Sequence, residues 1–196
     1  MQIGLMTDSV PALSITETLD LAAELGLDTV EFATGNWSTA PHLDLGRLLA
    51  DETARTALAA AVAARSLRIS ALNANGNPLH PATGREQDRV LRDTIRLASL
   101  LGVDTVVCMS GLPAAPGDHT PNWITTCWPP ETTGILRAQW DIAIRTGATW
   151  ALSPASRTCS LRWKCTPTSS STTPRRSCGC ARRPGRWSAP TSIPAT

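Results

Sequence analysis

Residues 14–32 read SITETLDLAAELGLDTVEF, and this stretch decides the architecture. Ser14, with Glu17 three residues on, is a capping-box pattern that opens a helix. Apolar Ile15, Leu19, Ala22 and Leu25 then recur at helical spacing, and Gly26 stops the run. Thr29–Phe32 follows as a short run suited to a buried strand. A helix is thus joined to a strand by a tight turn, the repeating piece of an α/β fold.

The same alternation continues outward on both sides. Before it, Gln2–Met6 is a short apolar run that reads as a strand. After it, Asp51–Arg65 is an Ala-rich helix and Leu67–Leu72 the third strand. Thr83 and Glu86 repeat the capping-box pattern ahead of an apolar stripe of Val90, Leu91, Ile95, Ala98 and Leu101. Gly102 ends that helix, and Asp104–Met109 is the fourth strand. Beyond a long Pro/Gly loop, Pro130–Ile144 reads as a fourth helix, with Ile135, Leu136 and Trp140 on its apolar side.

Alternating strands and helices imply parallel strands with helical crossovers. No Gly-rich phosphate cradle follows the first strand, which disfavours a dinucleotide-binding sheet. The expectation is the first half of a (β/α)8 TIM barrel, about four βα units, where a complete barrel needs about 250 residues. Nothing at Met1–Met6 resembles a signal peptide, and no apolar stretch approaches the roughly 18 residues of a membrane span, so a cytoplasmic protein is expected.

The chemistry changes after Ile144. All 16 acidic residues precede that point. From Arg145 onward lie nine of the 18 basic residues and four of the six cysteines, with no Asp or Glu. Disordered tails ordinarily favour Glu, Lys, Gln, Ser and Pro, not Trp and Cys. Trp and Cys codons both begin with TG, and a one-base slip turns that pair into the end of a Leu, Val or Met codon. Restoring one base after Ile144, with permissible choices for the degenerate codon positions, can yield strand-like strings that include LEMHP and LDPSH, in which the earlier rhythm resumes. The domain expectation is therefore a barrel half over residues 1–144 and a non-native, disordered, out-of-frame tail over 145–196. Cys159, Cys165, Cys178 and Cys180 match no common zinc knuckle by spacing.

The segments LGLDTVEFATGNW (25–37), SALNANGNPLHP (70–81), VDTVVCMSGLP (103–113) and HTPNWITTCWPPE (119–131) resemble the sugar phosphate isomerase/epimerase family. Its members have a xylose isomerase-like barrel and are relatives of endonuclease IV. The restored LEMHP and LDPSH strings match the fifth and sixth strands that carry metal-binding acids in that family. The resemblance implies a metal-dependent sugar or sugar phosphate isomerase or epimerase, moving a proton between adjacent carbons through an enediolate. A divalent metal (Mn, Mg, Co or Zn) would be held by carboxylates and a His from strands five to eight. This chain, without those carboxylates, is expected to be inactive, to bind no metal, and to retain no catalytic residue.

What the resemblance leaves is a substrate-facing rim, since barrel sites lie at strand C-termini. Glu31, Asn73, Asn75, His80 and Ser110 are the candidate substrate contacts, with His80 a weaker candidate for metal. Glu31 could instead pair with an Arg, Asn73 and Asn75 could be turn residues, and His80 could face solvent. His42 and His119 read as surface loop residues. The competing reading is a non-enzymatic half-barrel whose basic tail binds nucleic acid or an acidic partner. Open barrel edges also suggest self-association.

Overall fold

In the computed structural model, residues 2–126 and 128–152 are described, together with the backbone of Ser160–Lys164. Five strands, β1 (Gly4–Met6), β2 (Thr29–Ala33), β3 (Arg68–Asn73), β4 (Thr105–Met109) and β5 (Ser160–Lys164), form one sheet in the order β1-β2-β3-β4-β5. Every neighbouring pair is parallel. The order follows the chain without reversal, as in a barrel wall; a doubly wound sheet reverses at a switch point. Four parallel βα units therefore make a partial TIM barrel, as the sequence predicts.

The helices are α1 (Ile15–Glu24), α2 (Leu45–Ala50), α3 (Glu52–Ala63), α4 (Gly84–Leu101) and α5 (Glu131–Ala151). The Ser14–Glu17 capping box forms in both directions: Ser14 Oγ accepts from the Glu17 amide, and the Glu17 carboxylate accepts from the Ser14 amide at 2.8 Å. Gly26 and Gly102 end α1 and α4 in the left-handed region, at φ 68° and 67°. The following amides, Leu27 and Val103, bond back to the carbonyls of Ala22 and Ala98, which pairs the last free carbonyls of each helix.

The core lies between strands and helices. Val30, Phe32, Leu72 and Val106 from the sheet meet Leu19, Ala22, Leu91, Ile95 and Ala98, all essentially inaccessible to water. At roughly 1.5–3 kcal/mol per fully buried large aliphatic or aromatic side chain, this layer is the main source of cohesion.

Four details differ from the sequence reading. α2 was not anticipated; Asp44 caps it by accepting from the Arg47 amide at 2.9 Å. The expected box at Thr83 does not form, because Thr83 is already helical (ψ −2°) and caps nothing. His80 pairs the entering amides instead, its Nδ1 accepting from those of Ala82 and Thr83, both at 3.1 Å. Trp140 is exposed rather than part of an apolar seam. Finally, α5 runs past Ile144 to Ala151, where the Trp150 indole is fully buried and donates to Asp88 Oδ1 at 2.6 Å. The rest of the expected tail, 153–159 and 165–196 with its four cysteines, lies outside the described residues. Among the described residues, no helix is long and apolar enough to cross a membrane.

Candidate functional site at the strand ends

β2 and β3 place Glu31 and Asn73 two positions apart along neighbouring strands, since Ala33 pairs with Asn73 and Glu31 with Ala71. Asn73 is 2% exposed, and its Nδ2 donates to Glu31 Oε1 at 2.6 Å. Its other side-chain atom, Oδ1, accepts from the Asn75 amide at 2.9 Å. The Asn73 carbonyl accepts from the Thr34 amide and hydroxyl. Glu31, Asn73 and Asn75 are thus joined in one line of hydrogen bonds at the C-terminal ends of β2 and β3. Glu31 is half-buried and is held by an amide, not by an Arg.

His80 and Ser110 stand outside this line. Two backbone amides donate to His80 Nδ1, so that nitrogen holds its lone pair inward and the ring proton sits on Nε2. Neither ring nitrogen then offers a free lone pair, so this arrangement disfavours metal ligation. Ser110 follows β4 directly and is half-buried. His119 is exposed, as expected, but His42 is not a surface residue. It is 7% exposed because its loop folds back on α1, where Nε2 lies 3.0 Å from both the Leu13 carbonyl and Thr18 Oγ1.

The sequence reading missed three residues here. Thr7 Oγ1 and Asp8 Oδ1, just after β1, are buried with no hydrogen-bond partner among the described residues, and so is Asn75 Oδ1. A polar Thr-Asp pair directly after the first strand was the available signal. Asn77 was also missed. Its side chain pairs with both the amide and the carbonyl of Leu112, at 2.7 and 2.9 Å, which staples the β3–α4 loop to the β4–α5 loop.

Other features carry less chemistry. Burial pushes the Cys108 thiol up to about 12, so it is no nucleophile at neutral pH. An open cleft of about 560 Å³ lies between the β2–α2 loop and α4, walled by Asp44, Arg89 and Asp93, and includes none of the candidate residues. Among the described residues, no three His, Cys, Asp or Glu side chains are grouped to hold a metal ion. Glu31 is the lone carboxylate of the hydrogen-bonded line, so the described side chains do not by themselves make a metal centre.

A parallel α/β wall with polar side chains collected at the strand C-termini defines a partial TIM barrel. Residues 19–145 match the family described as xylose isomerase-like TIM barrel, and the chain belongs to that family. It is 46% identical over 149 residues to the uncharacterized protein YfiH of Bacillus subtilis (strain 168), covering 74% of this chain and 48% of that protein. The chain thus spans about half the length of the curated relative it matches. A solved L-ribulose 3-epimerase superposes with a TM-score of 0.51 at 22% identity, covering 83% of this chain and 49% of that one. The IolI protein, solved with a zinc atom, has a TM-score of 0.45 at 17% identity, covering 82% and 51%.

Proposed function

We propose that residues 1–144 are the substrate-binding half of a metal-dependent sugar isomerase or epimerase. The 196-residue chain, read out of frame after Ile144, is in this reading itself inactive. The observation that carries it is the Glu31–Asn73–Asn75 line at the strand ends of a xylose isomerase-like barrel. A fixed carboxylate with ordered amides suits the hydroxyls of a sugar, orienting neighbouring carbons for proton transfer. Glu31, Asn73 and Asn75 are assigned as contacts in this reading, with His80 Nε2–H a donor at the rim and Ser110 a further hydroxyl. The metal would take its ligands from later strands and would supply polarisation of the sugar's oxygens. Support for the frame break is that the family match stops at residue 145, four positions after Asp141, the last acidic residue.

Sequencing the gene across codon 144 tests this most directly. The expected result is an open frame, one base away, that encodes LEMHP and LDPSH. A stop codon or unpatterned sequence there would overturn the frame argument. In a ketose epimerisation assay with Mn²⁺, Mg²⁺, Co²⁺ or Zn²⁺, the 196-residue chain should be silent and the restored chain active. Turnover by the former would refute the proposed inactivity.

A second reading is favoured by one observation. α5 continues through Ala151 with Trp150 buried, and the backbone of Ser160–Lys164 pairs with β4, so this stretch has a place in the fold. In that reading the region is a selected, basic binding segment. Salt-sensitive retention of a short DNA duplex would support it, and salt-insensitive, negligible binding would remove it.

A further inference from the structure

We infer that the outward ridge of α4 is a docking surface for α1 of a second copy of this chain. The contact lies away from the strand ends and is independent of the sugar-binding reading. It uses helix faces, not the open strand edges.

The ridge on α4 is basic. Arg85, Arg89, Arg92 and Arg96 recur at helical spacing and are all exposed. They fall on the side opposite the buried stripe of Leu91, Thr94, Ile95 and Ala98. Only nine basic residues occur through Ile144, and four of them stand in this one line. Arg92 is held by Asp88 at 2.7 Å. Arg85, Arg89 and Arg96 make no ion pair among the described residues.

The ridge on α1 is acidic. Glu17, Asp20 and Glu24 are exposed, opposite the buried Thr18, Leu19 and Ala22, and α1 has no Lys or Arg. Asp20 is held by Arg65 at 2.5 Å, and Glu24 has no ion pair among the described residues. The two lines share one spacing. Glu17, Asp20 and Glu24 lie three and then four residues apart, and so do Arg89, Arg92 and Arg96. Laid side by side in the same direction, the helices set each carboxylate against a guanidinium over about 10 Å. This direction is also the one that brings together two exposed leucines, Leu25 at the end of α1 (62% exposed) and Leu100 at the end of α4 (46%).

The occupant follows from charge. Glu86 and Asp93 flank the arginines, so the positive charge is a narrow line, not a broad patch. Through Ile144 there are 16 acidic residues against nine basic ones, which repels a wide polyanion such as duplex DNA. A single helix ridge avoids the flanking acids, and the chain itself carries one of the right sign and spacing. Because α1 meets α4, the contact is head-to-tail, and each copy keeps one ridge for a further copy.

The test is sedimentation velocity of the 196-residue chain over a range of concentrations. At about 20 mM NaCl the average sedimentation coefficient should rise with concentration, and at about 500 mM NaCl it should not, since surface charges are then screened. Arg96→Glu and Glu24→Arg should each weaken association about threefold or more, the scale of an exposed ion pair. An equimolar mixture of these two variants should associate like the parent, because every contact between unlike copies then joins opposite charges. Unchanged thermal midpoints confirm that both variants fold. A chain that stays monomeric at low salt overturns the inference. Association that ignores salt also overturns it and points to the strand edges. So does a loss seen with Glu24→Arg but not with Arg96→Glu, which would make the basic C-terminal segment the partner of α1.

Discussion

α4 and α5 are the two longest helices among the described residues, and they are held in different ways. α4 lies against β3 and β4 and buries Leu91, Thr94, Ile95, Leu97 and Ala98 in a continuous stripe. α5 is longer but buries only Gln139, Gly147 and Trp150. Its apolar Ile135, Leu136, Ile142 and Ile144 stay half-buried. Beside the burial of Trp150 in the apolar core, its ties are polar: Gln139 Nε2 donates to the carbonyls of Pro113 and Asn122, and Trp150 Nε1 to Asp88. An apolar pattern on a helix becomes core only when a strand with matching side chains lies beneath it. α4 has that strand, whereas among the described residues the hydrogen-bonded ties of α5 run to a loop and to another helix.

Substitutions can break or sharpen this contrast. The largest effect is expected in α4: Leu91→Ala or Ile95→Ala should cost about 2–5 kcal/mol in denaturant unfolding. Ile135→Ala in α5 should cost less than about 1 kcal/mol by the same measurement. Equal costs would erase the distinction. Next, Gln139→Ala should cost about 1–3 kcal/mol, since two loop carbonyls lose their donor. Hydrogen exchange should show α5 opening before α4, and the reverse order would contradict its polar attachment. Trp150→Phe, which keeps most of the ring and deletes the donor to Asp88, should cost about 1 kcal/mol. No change would mean the indole contributes by packing alone.

The smallest effect tests the start of α1. The Ser14 hydroxyl, and secondarily the Ser14 amide, hold the Glu17 carboxyl below the usual carboxylate range. Its contribution is therefore full above the ordinary carboxylate value and is lost as pH falls through the depressed one. The gap in Tm between the parent chain and Glu17→Ala should be small, because the group is exposed, and should close toward low pH. A gap that widens on acidification would contradict the box.

The fold was legible where local and long-range signals agree. Residues 14–32 show both helix ends and the strand in plain sequence, and the structure places each within a residue or two. α2 was illegible because six residues are too few to display a period. The box at Thr83 looked right locally, but the lone pair of His80 reaches those amides first, which only the folded turn reveals. At the candidate site, Glu31, Asn73 and Asn75 could be read because barrel geometry sends strand-end residues to one place. Asp8 could not, since the burial of one carboxylate oxygen depends on its neighbours in space. The burial of His42 was hidden for the same reason, its contacts with Leu13 and Thr18 being distant in sequence.

The matching stops at Gly26 and Gly102 carry a consequence for engineering. Each lies in nearly the same short phrase, LGLDTV at 25–30 and LGVDTV at 101–106, differing only at Leu27 and Val103, with the same pair of backward hydrogen bonds. The two junctions therefore launch their strands alike and can serve as interchangeable splice points. The first change of charge comes one residue later, at Glu31 in one copy and Val107 in the other. A chimera joined at these glycines would keep its scaffold in phase while moving or removing a single carboxylate at the mouth.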